Sequence, residues 1–245
     1  MRLFFAPPEN ISKDKVILRG SDVSHIRNVL RMKCGQSLYV VDGSGSRFKV
    51  EIESMDRSGI KGHILLKEAF ATESPLKIFL GQSLLRGNKF DTILRKSVEL
   101  GVNEVAPILA ERSVVKISNP DSLKKVERWN KISWEASKQS GRSQIPKVKP
   151  IFNSIEEFSR AYEDFDLKIV FWEEEETVRL RDIELKNTPR SVAVVTGPEG
   201  GLTGAEIKVA REAGFCTVSL GSRILRAETA PIAVLSLLQN LWGDL

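Results

Sequence analysis

Hydrophobic and polar positions along this chain follow two rhythms. Over residues 1–70 the pattern is mainly that of strands. Lys15-Val16-Ile17-Leu18 and Leu38-Tyr39-Val40-Val41 are short apolar runs, and Phe48, Val50 and Ile52 alternate with Lys49, Glu51 and Glu53, the period of a half-buried strand. Asp42-Gly43-Ser44-Gly45-Ser46 between two such runs predicts a hairpin loop, and residues 59–66 supply a further strand. One helix interrupts them: Val23, Ile26, Val29 and Leu30 recur at helical spacing behind Ser21 or Asp22 as cap. That spacing puts Arg27, Arg31 and Lys33 on or near its other face. A small antiparallel β-barrel carrying one helix satisfies this pattern.

Ala71-Thr72-Glu73-Ser74-Pro75 is a polar break ending in proline, which sets the expected domain boundary: residues 1–73 and residues 74–245. Beyond it strand and helix alternate. Ile78–Leu80, Val105–Leu109, Leu167–Trp172 and Val192–Val195 read as buried strands; Phe90–Leu100 reads as a helix closed by Gly101. Asn119-Pro120 marks the start of a long helix running to about Gln139, with Gly141 past its end. Ser154-Ile155-Glu156-Glu157 has the spacing of a capping box. Such alternation predicts an α/β domain, a parallel sheet covered on both faces.

Composition narrows the class. The 245 residues are 41% hydrophobic and 28% charged, as in folded globular chains, and no apolar run is long enough for a membrane helix, so no membrane partner is expected. Two cysteines, Cys34 and Cys216, and two histidines, His25 and His63, argue against a disulfide framework and against a metal site. A cytoplasmic protein with reduced thiols is the resulting expectation. The net charge of +5 is unevenly spread: residues 86–149 hold 14 Lys/Arg against 7 Asp/Glu, while residues 156–187 hold 5 against 11, including the acidic run Glu173–Glu176. A basic middle segment suits a polyanionic partner, because cations that neutralise phosphates release condensed counterions. The alternative is a set of charged helices with solvated faces.

The chemistry-bearing stretch lies near the C-terminus. Val192–Thr196 runs into Gly197-Pro198-Glu199-Gly200-Gly201, and Thr203 with Glu206 has capping-box spacing for a following helix. Glycines where a parallel strand ends allow close backbone approach to a ligand; a tight turn with no ligand is the competing reading. This loop is neither a dinucleotide fingerprint nor a P-loop, and no nucleophile elbow occurs. One helix and one strand later, Gly221-Ser222-Arg223-Ile224-Leu225-Arg226-Ala227-Glu228-Thr229-Ala230 leaves the strand Phe215–Leu220, and Pro231 sits in the first turn of a final, largely apolar helix. Arg223 and Arg226 either face a ligand or pair with Glu228 to fix the loop.

Taken together, the Gly197–Gly201 and Leu220–Thr229 loops resemble the cofactor loops of the SPOUT methyltransferases, whose C-terminal chain forms a trefoil knot. More narrowly, the chain resembles the RsmE family, which methylates N3 of a uridine in small-subunit (16S) ribosomal RNA. His25–Met32, Gly35-Gln36 and Asp42-Gly43 are similar to its PUA-like RNA-binding domain. Lys96–Val102, Glu111-Arg112-Ser113 and Glu135–Arg142 followed by Pro146 are similar to its catalytic domain. Ser222 and Ala227 depart from it, standing where the family often has Pro and Thr.

The resemblance implies S-adenosyl-L-methionine as cofactor, ribosomal RNA as partner, and a homodimer packed through the knotted region. It implies that Thr196, Gly197, Glu199, Gly200, Gly201, Leu220, Gly221, Ile224, Leu225 and Arg226 hold the cofactor, and that Arg27, Arg31 and Lys33 contact RNA. A sulfonium is already a good leaving group, so no metal is needed, and an imide N3–H is acidic enough to need little assistance. A cation near a base carbonyl would stabilise developing charge; Arg226 is the first candidate and Arg142 the second. No residue stands out as a general base. The alternatives are a related knotted enzyme acting on a ribose 2′-hydroxyl or another base, and a non-catalytic ribosome-assembly RNA-binding protein.

Overall fold

The computed structural model describes residues 3–56, 58–115 and 119–245. The chain divides into two compact units: Met1–Glu73 together with Ser137–Ile145, and Ser74–Ala136 together with Pro146–Leu245. The segment Ser137–Ile145 thus groups with the N-terminal unit, apart from the sequence around it.

The first unit is built on β1 (Leu3–Phe5), β2 (Lys15–Leu18), α1 (Ser21–Ser24), β3 (Ser37–Val41), β4 (Ser46–Met55) and β5 (Ile60–Ala69). Its five strands are ordered β1-β3-β4-β5-β2. The β3–β4 hairpin forms where expected: the Asp42 carboxylate accepts from the Ser44 and Ser46 amides at 2.8 and 3.1 Å, and Gly43 and Gly45 take positive φ. Phe48, Val50 and Ile52 point into a core shared with Phe4, Leu38 and Ile60. The sheet is not wholly antiparallel, because β1 pairs in parallel with β3. The chain reaches β3 from β1 only after passing through β2 on the opposite edge, and such a crossover permits parallel pairing.

The helix after β2 also differs from its periodic reading. α1 is a single turn that continues as a π-helical turn over His25–Val29, where the Leu30 amide donates to the His25 carbonyl. Val23 and Ile26 are buried as expected, but Val29 is 63% exposed. The wider turn rotates later positions off the 3.6-residue stripe.

The second unit comprises β6 (Lys77–Ser83), α2 (Lys89–Glu99), β7 (Glu104–Ile108), α3 (Asn119–Ser140, apart from its last residues), β8 (Lys147–Val148), α4 (Ile155–Ala161), β9 (Leu167–Phe171), β10 (Ser191–Thr196), α5 (Gly204–Glu212), β11 (Cys216–Val218) and α6 (Ala230–Trp242). The capping role expected of the Asn119 side chain lies outside the described residues. The strands form a six-stranded sheet, β11-β9-β10-β6-β7-β8, parallel throughout. Alternate residues of each strand feed different cores. Ile78, Leu80, Ile169, Val192 and Val194 meet Phe90, Leu94, Trp129, Leu235 and Leu238 from α2, α3 and α6 on one face. Val170, Ala193, Val195 and Ile108 meet Phe158 and Ile207 from α4 and α5 on the other. Burying both faces explains why these strands read as apolar runs without alternation. Gly81 is needed in β6 because a Cβ there would lie 2.8 Å from Phe158 Cζ.

Candidate active site

In a parallel sheet the loops at the carboxyl ends of the strands converge, and here three of them do. The neighbours β11, β9 and β10 deliver Ser219–Glu228, Trp172–Glu176 and Thr196–Gly201 to a cleft of about 800 Å³, a size suited to a small-molecule cofactor. Lys89, from the first turn of α2, and Arg179 complete its lining.

Each loop is held by its own device. After β10, Thr196 is buried and its hydroxyl donates to Gln82 Oε1 at 2.7 Å, so it is the backbone there that faces the cleft. Gly201 takes φ +71°, and a Cβ on it would collide with the Glu173 carboxylate. The expected capping box closes the segment: Thr203 N donates to Glu206 Oε2 at 2.8 Å and Glu206 N to Thr203 Oγ1 at 3.2 Å. Glu206 is further fixed by the Glu111 amide at 2.9 Å.

The loop after β9 is tied to β11 through Glu175. Its carboxylate accepts from Thr217 Oγ1 at 2.6 Å, Thr177 Oγ1 at 2.7 Å and the Thr177 amide at 3.1 Å, and Arg211 stands 3.4 Å away. The Thr217 hydroxyl, then that of Thr177, hold its pKa down at about 2. One member of the acidic run is therefore a buried structural anchor, while Glu173 and Glu176 are exposed at the cleft.

In the last loop, the Thr229 and Ala230 amides donate to the Arg226 carbonyl at 2.8 and 3.0 Å, a turn that leads into α6 with Pro231 in its first turn. The expected alternative pairing of Arg223 and Arg226 with Glu228 does not form. Glu228 instead lies 3.2 Å from Lys89 Nζ, which is also 3.3 Å from Glu199 Oε1. Glu228, then Glu199, raise the Lys89 pKa; the backbone amide of Glu228 itself, then Lys89 and the positive charge of Arg226, lower that of Glu228. The Lys89–Glu228 contact is an ion pair without hydrogen-bond geometry, since Glu228 Oε2 has no hydrogen-bond partner. Among the described residues, no carboxylate lies within 4 Å of the Arg226 guanidinium. Ile224 is 84% exposed, an apolar side chain presented at the cleft.

The cleft thus gathers Thr196, Gly197, Glu199, Gly201, Leu220, Gly221, Ile224, Leu225 and Arg226. Gly200 does not line it: Gly200 is exposed, its carbonyl accepts from Arg112 Nη1 at 3.1 Å, and a Cβ on it would meet Arg112 rather than open cleft. Arg142 belongs to the first unit and is likewise not part of the lining. Its guanidinium is buried and ion-paired with Glu73, which also accepts from the Ser143 and Gln144 amides at 3.1 and 3.0 Å. Burial would raise the Glu73 pKa, but the bonds from Arg142, Gln144 and Ser143 lower it. Arg27, Arg31 and Lys33 are exposed on the first unit, Arg31 with φ +53°. Lys89, Trp172, Glu175 and Arg179 were not foreseen. The acidic run was a visible signal for Glu175; nothing in the sequence linked Lys89 to a loop 139 residues later.

A three-layered α/β unit with a ligand-sized cleft at its carboxyl edge, preceded by a small β unit, is an architecture that two-domain RNA methyltransferases use, and matches to known families show this chain to be one of them. An RNA methyltransferase domain family matches residues 72–239, and an RNA methyltransferase PUA domain family matches residues 18–65. Ribosomal RNA small subunit methyltransferase E of Bacillus subtilis is 35% identical over 224 residues, covering 89% of this chain and 87% of that protein. The Aquifex aeolicus protein of the same name is 33% identical, covering 98% and 100%. The crystal structure of the Neisseria gonorrhoeae enzyme bound to S-adenosyl methionine superposes with a TM-score of 0.84 at 36% identity, covering 100% of this chain and 99% of that one. The chain belongs to the ribosomal RNA small subunit methyltransferase E family, as the motifs near its C-terminus had implied.

Proposed function

We propose that this protein transfers a methyl group from S-adenosylmethionine to N3 of a uridine in small-subunit ribosomal RNA, with the cleft of the second unit as its active site. The observation that carries this reading is the convergence of three loops at the carboxyl ends of β9, β10 and β11, in a chain of this family. The residues present suit the cofactor. Gly197 and Gly201 keep the backbone open, Leu220, Ile224 and Leu225 offer apolar surface to a purine, and Glu173 and Glu176 complement cationic groups. When bound, S-adenosylmethionine supplies a methyl group on a sulfonium leaving group.

The chain's own task is to orient the base and to stabilise charge as N3 gives up its proton to solvent. Arg226 makes no ion pair within 4 Å, is permanently charged and offers fixed donors at the cleft, which suits a carbonyl oxygen gaining negative charge. Arg142, committed to Glu73, serves the first unit's architecture instead. The exposed Arg27, Arg31 and Lys33 hold RNA phosphates. A cytoplasmic location belongs to the same reading, supported by a ribosomal substrate; among the described residues no helix is long and apolar enough to cross a membrane. A homodimer belongs to the same reading, supported by Leu237 and Leu241 on α6, 44% and 47% exposed. So does the trefoil knot, supported by membership of this family; the connection after β10 crosses β9 to reach β11 on its far side.

Incubating the protein with labelled S-adenosylmethionine and small subunits or 16S ribosomal RNA, then digesting the RNA to nucleosides, tests the assignment. The expected product is 3-methyluridine. A label on a ribose oxygen or on another base would overturn the assignment to N3.

A further inference from the structure

Glu228 and Arg226 stand on one turn, held by the hydrogen bonds that the Thr229 and Ala230 amides make to the Arg226 carbonyl. A carboxylate two residues from an arginine on an exposed turn is its natural partner, and charge-assisted Arg–carboxylate pairs are among the stronger polar contacts. Here the two do not come within 4 Å of each other, although the Arg226 charge is felt at Glu228, and Glu228 Oε2 instead stands 3.2 Å from Lys89 Nζ, an ion pair without hydrogen-bond geometry. Lys89 is itself kept in place from the other side by Glu199 at 3.3 Å, whose Oε1 also accepts from the Arg86 amide at 3.3 Å. The lysine comes from α2, far from both loops in the chain, and touches an acid in each of them.

We propose that Lys89 is a positioning residue for methyl transfer: by engaging Glu228 it keeps the Arg226 guanidinium free to meet the substrate base. This rests on the assignment of Arg226 to the developing charge. Without the ammonium, Glu228 turns to Arg226 and the two neutralise each other at the mouth of the cleft. The ammonium's raised pKa keeps it charged throughout the range in which the enzyme is assayed.

The test is single-turnover methylation of small-subunit ribosomal RNA at saturating S-adenosylmethionine, with S-adenosylhomocysteine affinity measured in parallel by calorimetry. Lys89→Met is expected to slow transfer by roughly tenfold or more, while the double variant Lys89→Met/Glu228→Gln returns to within about threefold of the wild type, a coupling of the size seen between residues in contact. Lys89→Arg keeps most of the rate. A purely structural lysine would not be rescued by removing its partner, and the double variant, lacking the same lysine, controls for loosened folding. If Lys89→Met retains full rate, the inference is overturned. If the double variant is as slow as Lys89→Met while Arg226→Ala is also slow, the role of Arg226 stands and that of Lys89 does not. If Arg226→Ala is near normal, the assignment of Arg226 fails and this inference falls with it.

Discussion

Gly200 and Gly201 are adjacent and look equivalent in sequence, yet only Gly201 faces the cleft. Replacing Gly201 by alanine forces a Cβ into a left-handed backbone, which costs about 1–2 kcal/mol. It also drives the Cβ into the Glu173 carboxylate, which must swing out; Glu173 is exposed, so this adds little. The strain is distributed in one of two ways. If the loop keeps its shape, the fold loses the whole amount, roughly 2–4 °C of melting temperature per kcal/mol in a domain this size. If the free loop relaxes, the fold is spared and cofactor binding must restore the shape, weakening affinity by about 5–30-fold. Either way the losses in melting temperature and affinity should together account for about 1–2 kcal/mol. Gly200 has ordinary φ, and a Cβ there meets Arg112 Cβ at 3.1 Å, a contact that a small loop shift relieves. Gly200→Ala should therefore change S-adenosylhomocysteine affinity less than about threefold. Calorimetry and thermal melts of both variants read these quantities. Equal losses of affinity at 200 and 201, or unchanged affinity and melting temperature in Gly201→Ala, would refute the assignment of the inward face to Gly201.

The Glu175 anchor makes a pH-dependent forecast. Its pKa is about 2 in the folded protein; unfolded, a glutamate titrates near about 4.3. Its stabilisation is thus present above the unfolded value and is lost as pH falls toward the folded one, so the melting-temperature gap between wild type and Glu175→Gln should be widest near neutrality and close between about pH 4 and 2. A gap independent of pH would count against the hydrogen-bonded carboxylate. Reversing Arg27, Arg31 and Lys33 together to glutamate should weaken RNA binding and flatten its salt dependence, measured by filter binding over a salt series; unchanged affinity would exclude that face. Leu237→Glu with Leu241→Glu should convert a dimer to a monomer in light scattering, and a wild-type monomer at micromolar concentration would dispose of the dimer.

Much of this protein was legible before any coordinates. Strand alternation at Phe48, Val50 and Ile52, the capping box of Thr203 and Glu206, and proline in the first turn of α6 are local signals, set by propensity and by hydrogen bonds between near neighbours. The two loops carried the family resemblance because their residues are contiguous. Tertiary structure decided what depends on partners remote in sequence. Glu228 found Lys89 and not Arg226, Glu175 was buried against Thr217, and Arg142 was taken up by Glu73. It also decided that Gly201 rather than Gly200 lines the cleft, and that β1 runs parallel to β3. The physical reason is one of range: a charge or a strand edge pairs with whatever the fold brings within a few ångströms, and chain separation of 36 to 139 residues leaves no periodic trace of that in the sequence.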